Sequence, residues 1–325
     1  MRTPEADSAM AAVRAQIDAV DDRILAAIQE RARLVEQVRA LKAAQAASQT
    51  AREQAAREQA ARESENPTAL QNGAAPPSTP PSTPLRPARE AQILRRIARL
   101  SSSPMPFGGT AAIWHELIAS SVVMQGGLTV SVYAPGEGPE RDRVWKAART
   151  RFGALTPLTG RSSAGRMIQD LQGPEPAAGV APGDLSPDSH GEVWWRACLD
   201  SSPLAPKILA ALPFAPEAGE GIDAWLLAAA PLEPSGDDVT LFGLRTGAPI
   251  SRAQISARLA RATEALGIEA RLAALVPDAL LIACEGAHAD PHSPVKAALA
   301  EAFDIDPQDL TTAGLYARPL PPPGG

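Results

Sequence analysis

Apolar residues recur at steps of three, four and seven near the start of the chain. Ile17, Val20, Ile24, Ile28, Val35, Val38 and Leu41 fall on one stripe of a helix, which predicts one buried face. Asp7 or Ser8 is placed to cap that helix. The stripe then gives way to a repeat of AREQA, in which Glu53→Arg57 and Glu58→Arg62 form favourable i,i+4 pairs. A five-residue period precesses by about 140° per repeat and builds no buried face, so this stretch predicts a solvated continuation of the helix. The following NPTALQNGAAPPSTPPSTP predicts an extended linker, and the insertion over 45–84 is read as a spacer. A second helix starts near Pro87 and carries Ile93, Leu94, Ile97 and Leu100. After Pro104, Pro106, Gly108 and Gly109, Thr110 is positioned to cap a third helix that buries Ile113, Trp114, Leu117 and Ile118. That helix closes past Gln125 at Gly126-Gly127. Three such helices bury too little surface alone, and pairing two chains would solve that.

From Leu128 the period changes. TVSVYAP, LTPLTG, AAGVAP, ILAALPFA and AWLLAAAPL read as short strands, and ERDRVWKAARTRF and SAGRMIQDL as helices between them. Strand alternating with helix predicts an α/β lobe over 128–235 with parallel strands. The segment 237–320 reads strand, helix, strand, strand, helix, strand: VTLFGLR, ISRAQISARLARATEAL, EARLAAL, ALLIACEG, SPVKAALAEAF and TAGLYARPL. The fold class expected is therefore multidomain, α followed by α/β, with a βαββαβ unit last.

Length agrees, since 325 residues suit two or three domains. A net charge of −6 argues against nucleic acid or an anionic membrane as partner. Cys198 and Cys284 follow no metal or redox spacing and read as buried thiols of a reducing compartment. No apolar leader and no run approaching a membrane span is visible, so a cytoplasmic location is expected. His288-x-Asp290-x-His292 has metal-ligand residue types, but it sits in a Pro-containing loop and no metal site is assigned. Trp194-Trp195 is read as core.

The candidate chemistry lies in the helical part. Arg14, Arg31 and Lys42 are spaced along the first helix, Arg89-Glu90 opens the second, and Ser121 and Gln125 lie at the end of the third. Arg31 and Lys42 return nearly to one helix face, with Arg14 about 100° away. This ordered set resembles the all-helical (type II) chorismate mutases, and the resemblance covers residues 8–126. It implies a three-helix fold intertwined in a homodimer, chorismate as substrate and no cofactor. Chorismate carries two carboxylates and rearranges to prephenate in one pericyclic step, so no nucleophile or general base is needed. A fixed conformer and positive charge at the breaking ether oxygen suffice. The resemblance assigns Arg14, reaching in from the partner subunit, and Lys42 to the side-chain carboxylate. Arg31 and Ser121 take the ring carboxylate, Lys42 and Gln125 the ether oxygen, Glu90 the ring hydroxyl, and Arg89 the ring end. Arg86 departs from the family, which often has an acidic residue there. The same scaffold and cations also serve isochorismate–pyruvate lyases. A non-catalytic partner of a shikimate-pathway enzyme is the other class left open.

The remainder resembles prephenate dehydratase with its chemistry missing. Glu137-Gly138-Pro139 stands for that family's Gly-Thr, Gly183-Asp184 for its Glu-Asn, and Ala224-Trp225-Leu226 for its Thr-Arg-Phe. No dehydratase activity is expected. The βαββαβ order over 237–320 is similar to an ACT regulatory domain, with Gly247 the nearest effector position and the Glu-Ser-Arg-Pro signature absent.

Overall fold

The computed structural model describes residues 4–63, 83–101, 105–216 and 221–321. They belong to two compact units, Met1–Ala74 and Ala75–Gly325. The described residues of the first unit form one helix, α1 (Pro4–Glu63), of 60 residues. Its length is on the order of 90 Å at 1.5 Å per residue. The helix runs without a break from the apolar stripe into the AREQA repeats, whose Ala, Arg, Glu and Gln are all strong helix formers. It starts before Asp7 and Ser8, so neither caps it. The expected buried stripe is corrected for the single chain. Ile17, Val20, Ile24, Ile28, Val38 and Leu41 are 38–65% exposed, and only Val35 is half-buried. A lone helix has no second surface inside its own unit against which to bury a face. The side chains of the AREQA ion pairs and most of the Pro/Ser/Thr-rich linker lie outside the described residues.

The second unit begins with α2 (Pro87–Leu100) and α3 (Phe107–Met124). Pro87 occupies the first turn of α2, where its missing N–H costs nothing. Helix α3 starts at Phe107 with Pro106 at the cap position, one turn before the expected Thr110. Its buried face is Ala111, His115, Ile118, Ser121 and Val122. Ile113, expected inside, is 48% exposed, because the buried stripe is rotated onto 111, 115, 118 and 122.

The chain continues as β1 (Thr129–Tyr133), α4 (Pro139–Phe152), β2 (Leu158–Arg161), α5 (Ala164–Leu171) and β3 (Ala177–Pro182). A short 3-10 helix, Trp194–Leu199, precedes β4 (Lys207–Leu212) and β5 (Ala224–Ala228). Then come β6 (Asp238–Arg245), α6 (Arg252–Leu266), β7 (Ala270–Val276), β8 (Ala279–Glu285), α7 (Pro294–Phe303) and β9 (Leu310–Ala317). Every strand and helix expected after Leu128 is present. Among the described residues, nine strands join one sheet in the order β2-β1-β3-β5-β4-β9-β6-β8-β7.

The expectation of parallel strands holds only in part. β1 is parallel to both β2 and β3, but β5 runs antiparallel to β3 and β4. The crossover helices α4 and α5 link the parallel strands β1, β2 and β3, as parallel pairing requires, whereas no helix lies between β4 and β5. The βαββαβ segment is antiparallel throughout, and β9 attaches it to the rest by pairing parallel with β4. At that seam a Cβ on Gly314 would stand 2.5 Å from the Ile208 carbonyl oxygen. Only glycine permits the two backbones to meet so closely.

Side chains alternate across the sheet as strand geometry requires. Val130, Val132, Ala178, Val180 and Leu226 pack with Val144, Ala148 and Phe152 of α4. Phe242, Leu280 and Ile282 pack beneath α6 and α7 through Ile255, Leu259 and Leu299. The opposite face carries Tyr133, Ala181, Leu227, Leu241 and Leu281 against Met167, Trp195 and Leu199. Trp194 and Trp195 are both buried. The two cysteines are free and buried, which pushes both thiols up to about 12.

Candidate active site

Of the seven candidate residues, three lie on α1. Arg14 and Lys42 are exposed, and Arg31 is half-buried, which lowers its guanidinium from the ordinary value. Eleven residues separate Arg31 from Lys42, about 16 Å along the axis on nearly one face.

The other four lie in the second unit. Helix α3 brings Ser121 and Gln125 together on successive turns. The Ser121 hydroxyl donates to the Leu117 carbonyl at 2.6 Å, and the Gln125 amide donates to the Ser121 carbonyl at 3.0 Å. Gln125 itself caps the helix, so its side chain sits where unpaired carbonyls gather. Arg89 is exposed at the start of α2, its guanidinium donating to Gln92 Oε1 at 3.4 Å. Arg86, the departure from the family pattern, is the cap residue of α2. Its guanidinium donates to the Thr83 and Leu85 carbonyls at 3.1 and 2.8 Å and meets Glu233 at 3.5 Å.

Glu90 is placed differently from its expected surroundings. It is buried, and its carboxylate forms an ion pair with Arg151 of α4, also buried. Burial raises the Glu90 carboxyl, and the Arg151 charge opposes that rise. His115 of α3 is buried in the same neighbourhood, and its Nδ1 has no hydrogen-bond partner among the described residues. Burial, and then the Arg151 charge, lower its imidazole to about 4. Arg151 further stacks its guanidinium 5.2 Å from the Phe152 ring. Arg151 and His115 were not singled out from the sequence. The available signal was an arginine on the apolar face of a helix, in step with Val144, Ala147 and Ala148.

Gly138, Pro139, Gly183 and Ala224-Trp225-Leu226, among the positions that stand for the dehydratase residues, are structural. Pro139 opens α4 behind Gly138, whose φ is 88°. Gly183 lies so close to Ile222 that a Cβ would meet its carbonyl oxygen at 1.8 Å. Ala224, Trp225 and Leu226 are buried in β5, the Trp225 indole donating to the Gly183 carbonyl at 3.0 Å. Among the described residues no group of three or more His, Cys, Asp or Glu could hold a metal ion. His288 is held by the Thr240 hydroxyl of β6 and the Glu285 carbonyl of β8. No helix among them is long and apolar enough to cross a membrane.

Residues 13–126 match the family model of chorismate mutase type II. The chain carries a chorismate mutase type II domain. The match spans all seven candidate residues, from Arg14 to Gln125. No curated protein matches the chain. Among solved structures, GqqA, described as a novel type of quorum quenching acylase, overlays with 15% identity and a TM-score of 0.37. That overlay covers 58% of this chain and 94% of GqqA. A prephenate dehydratase from Streptococcus mutans overlays with 13% identity and a TM-score of 0.35, covering 58% of this chain and 97% of that one.

Proposed function

We propose that the protein is a chorismate mutase, converting chorismate to prephenate for phenylalanine and tyrosine synthesis in the cytoplasm. The observation that carries the reading is the family match over 13–126, which includes every residue the chemistry requires. The reaction asks for two carboxylates to be held and one developing oxyanion to be met. Arginine forks bind carboxylates bidentately and stay charged at any working pH. Arg14, Arg31 and Lys42 supply the charges, and Ser121 and Gln125 the neutral donors. No cofactor is required. The exposed apolar stripe of α1 supports a homodimer in which Arg14 serves the neighbouring subunit. The strand order β9-β6-β8-β7 supports an ACT-like module over 237–320, acting in assembly or regulation.

Lys42→Ala tests the assignment, because Lys42 alone serves both a carboxylate and the ether oxygen. Loss of one placed oxyanion donor costs about 10²–10³ in rate. A folded variant that keeps more than about a tenth of wild-type turnover would contradict the role. One observation favours a second reading, a non-catalytic mutase-like partner of another shikimate-pathway enzyme: Glu90 is engaged by Arg151 rather than open to a substrate hydroxyl.

A further inference from the structure

A cavity of about 270 Å³ opens at the carboxyl ends of β1 and β3, bounded by Tyr133, Pro182, the start of α4 and the loop 184–192. Its position follows from topology. From β1 the chain leaves through α4 to β2 on one side, and from β3 it leaves towards β4 on the other. The carboxyl ends of two such strands diverge and leave a crevice, which is where open α/β sheets bind ligands. The volume lies below the 300–1,000 Å³ typical of drug-sized ligands. It suits a molecule with the bulk of an amino acid.

The two walls differ in charge. On the α4 side stand Arg141 and the helix N-terminus, which no side chain caps and whose backbone dipole is positive; Glu140 stands beside them. On the loop side stand Asp184, Asp188 and Glu192. The loop is held in shape by its own bonds. The Tyr133 hydroxyl donates to Asp188 at 2.5 Å, and Asp188 also accepts from the His190 and Glu192 N–H groups. Burial would raise the Asp188 carboxyl, but these donors prevail and hold it low. It stays anionic. Four carboxylates against one guanidinium disfavour a dianion and call for a cationic group on the ligand.

Between the walls the lining is apolar, through Val144, Ala134 and the Trp194 ring. Trp194 is 4% exposed, and its indole N–H has no hydrogen-bond partner among the described residues.

We propose that this cavity binds a small zwitterion of the α-amino acid class. The ammonium group lies on the Asp184–Asp188–Glu192 side and the carboxylate at the Arg141 end of α4. An apolar or aromatic side chain rests against Val144 and Trp194. The site is separate from the mutase residues and does not depend on their activity.

Isothermal titration calorimetry of the full chain tests this with L-leucine and L-phenylalanine. Two controls each lack one charge, 3-phenylpropionate and 2-phenylethylamine. At least one amino acid is expected to bind, with both controls at least about tenfold weaker than phenylalanine if phenylalanine is the ligand bound. Arg141 and Asp184 are exposed, so their replacement leaves the fold in place. Arg141→Ala and Asp184→Asn should each weaken the amino acid by about tenfold. Absence of binding by both amino acids up to about 10 mM, weaker than any specific site of this kind, would overturn the proposal. So would affinity unchanged in both Arg141→Ala and Asp184→Asn, which would put the ligand elsewhere. An amine control that binds as tightly as its parent would remove the carboxylate contact and with it the zwitterion.

Discussion

At the scale of single residues, the most consequential feature is a charge the chain buries. Glu90 and Arg151 are both almost fully enclosed, and a buried pair is expensive to break from one side. Arg151→Met leaves Glu90 unpaired and should cost about 3–5 kcal/mol, whereas adding Glu90→Leu should recover most of it. Urea unfolding of both variants checks this; equal destabilisation by the single and double changes would contradict it. His115 reports on the same cluster through pH. Its folded-state value near 4 lies below the ordinary 6.5, so the unfolded chain holds the extra proton between those values. Stability from this group is full above about pH 6.5 and is lost as pH falls towards 4, by at most about 3 kcal/mol. His115→Leu should therefore flatten the fall in stability between pH 6.5 and 4.5, and an unchanged slope would contradict the assignment. None of this was legible beforehand. The seven candidates could be proposed because the expected chemistry fixes residue type and order, but Arg151 becomes informative only once α4 is seen to bring it to Glu90.

At the scale of elements, period and punctuation located nearly everything. The AREQA stretch continues α1 because propensity acts locally, and the strands after Leu128 appear where their β-branched and Ala-rich runs predicted. What failed was partnership. The stripe Ile17 to Leu41 announces a buried face, yet a pattern says only that a partner is wanted and not where it is. A second chain is the expected partner, and it yields a test. Arg14→Ala and Lys42→Ala chains should each be nearly inactive, while a mixture recovers activity, since one site per heterodimer escapes both changes. No recovery after verified subunit exchange would mean that each site is built from one chain. The start of α3 was misjudged by one turn for a related reason. Thr110 is a good capping residue, but Pro106 already fixes the backbone ahead of Phe107, and the packing of Phe107 with Leu94, Ala111 and Phe214 holds that extra turn.

At the scale of the whole second unit, one sheet joins segments that read as separate from the sequence. Gly314 facing Ile208 makes the seam possible, and strand order across a seam has no local signature. Helices α2 and α3 share this unit, with Ala91, Leu94 and Ala111 packed against Phe214 and Ala317. A chain ending near Gly127 loses those contacts as well as Arg151. It should still convert chorismate, because the seven candidates remain, but with a lower Tm than the full chain. A truncated protein equally stable would contradict the shared core. The full chain should form no phenylpyruvate beyond the spontaneous background, since buried Ala224-Trp225-Leu226 offers no threonine. The central claim is tested most directly by incubating the full chain with chorismate, and separately with isochorismate, and identifying the product by NMR. The account predicts prephenate from chorismate, and no pyruvate release from isochorismate above background. Unchanged chorismate, or pyruvate in place of prephenate, would contradict it.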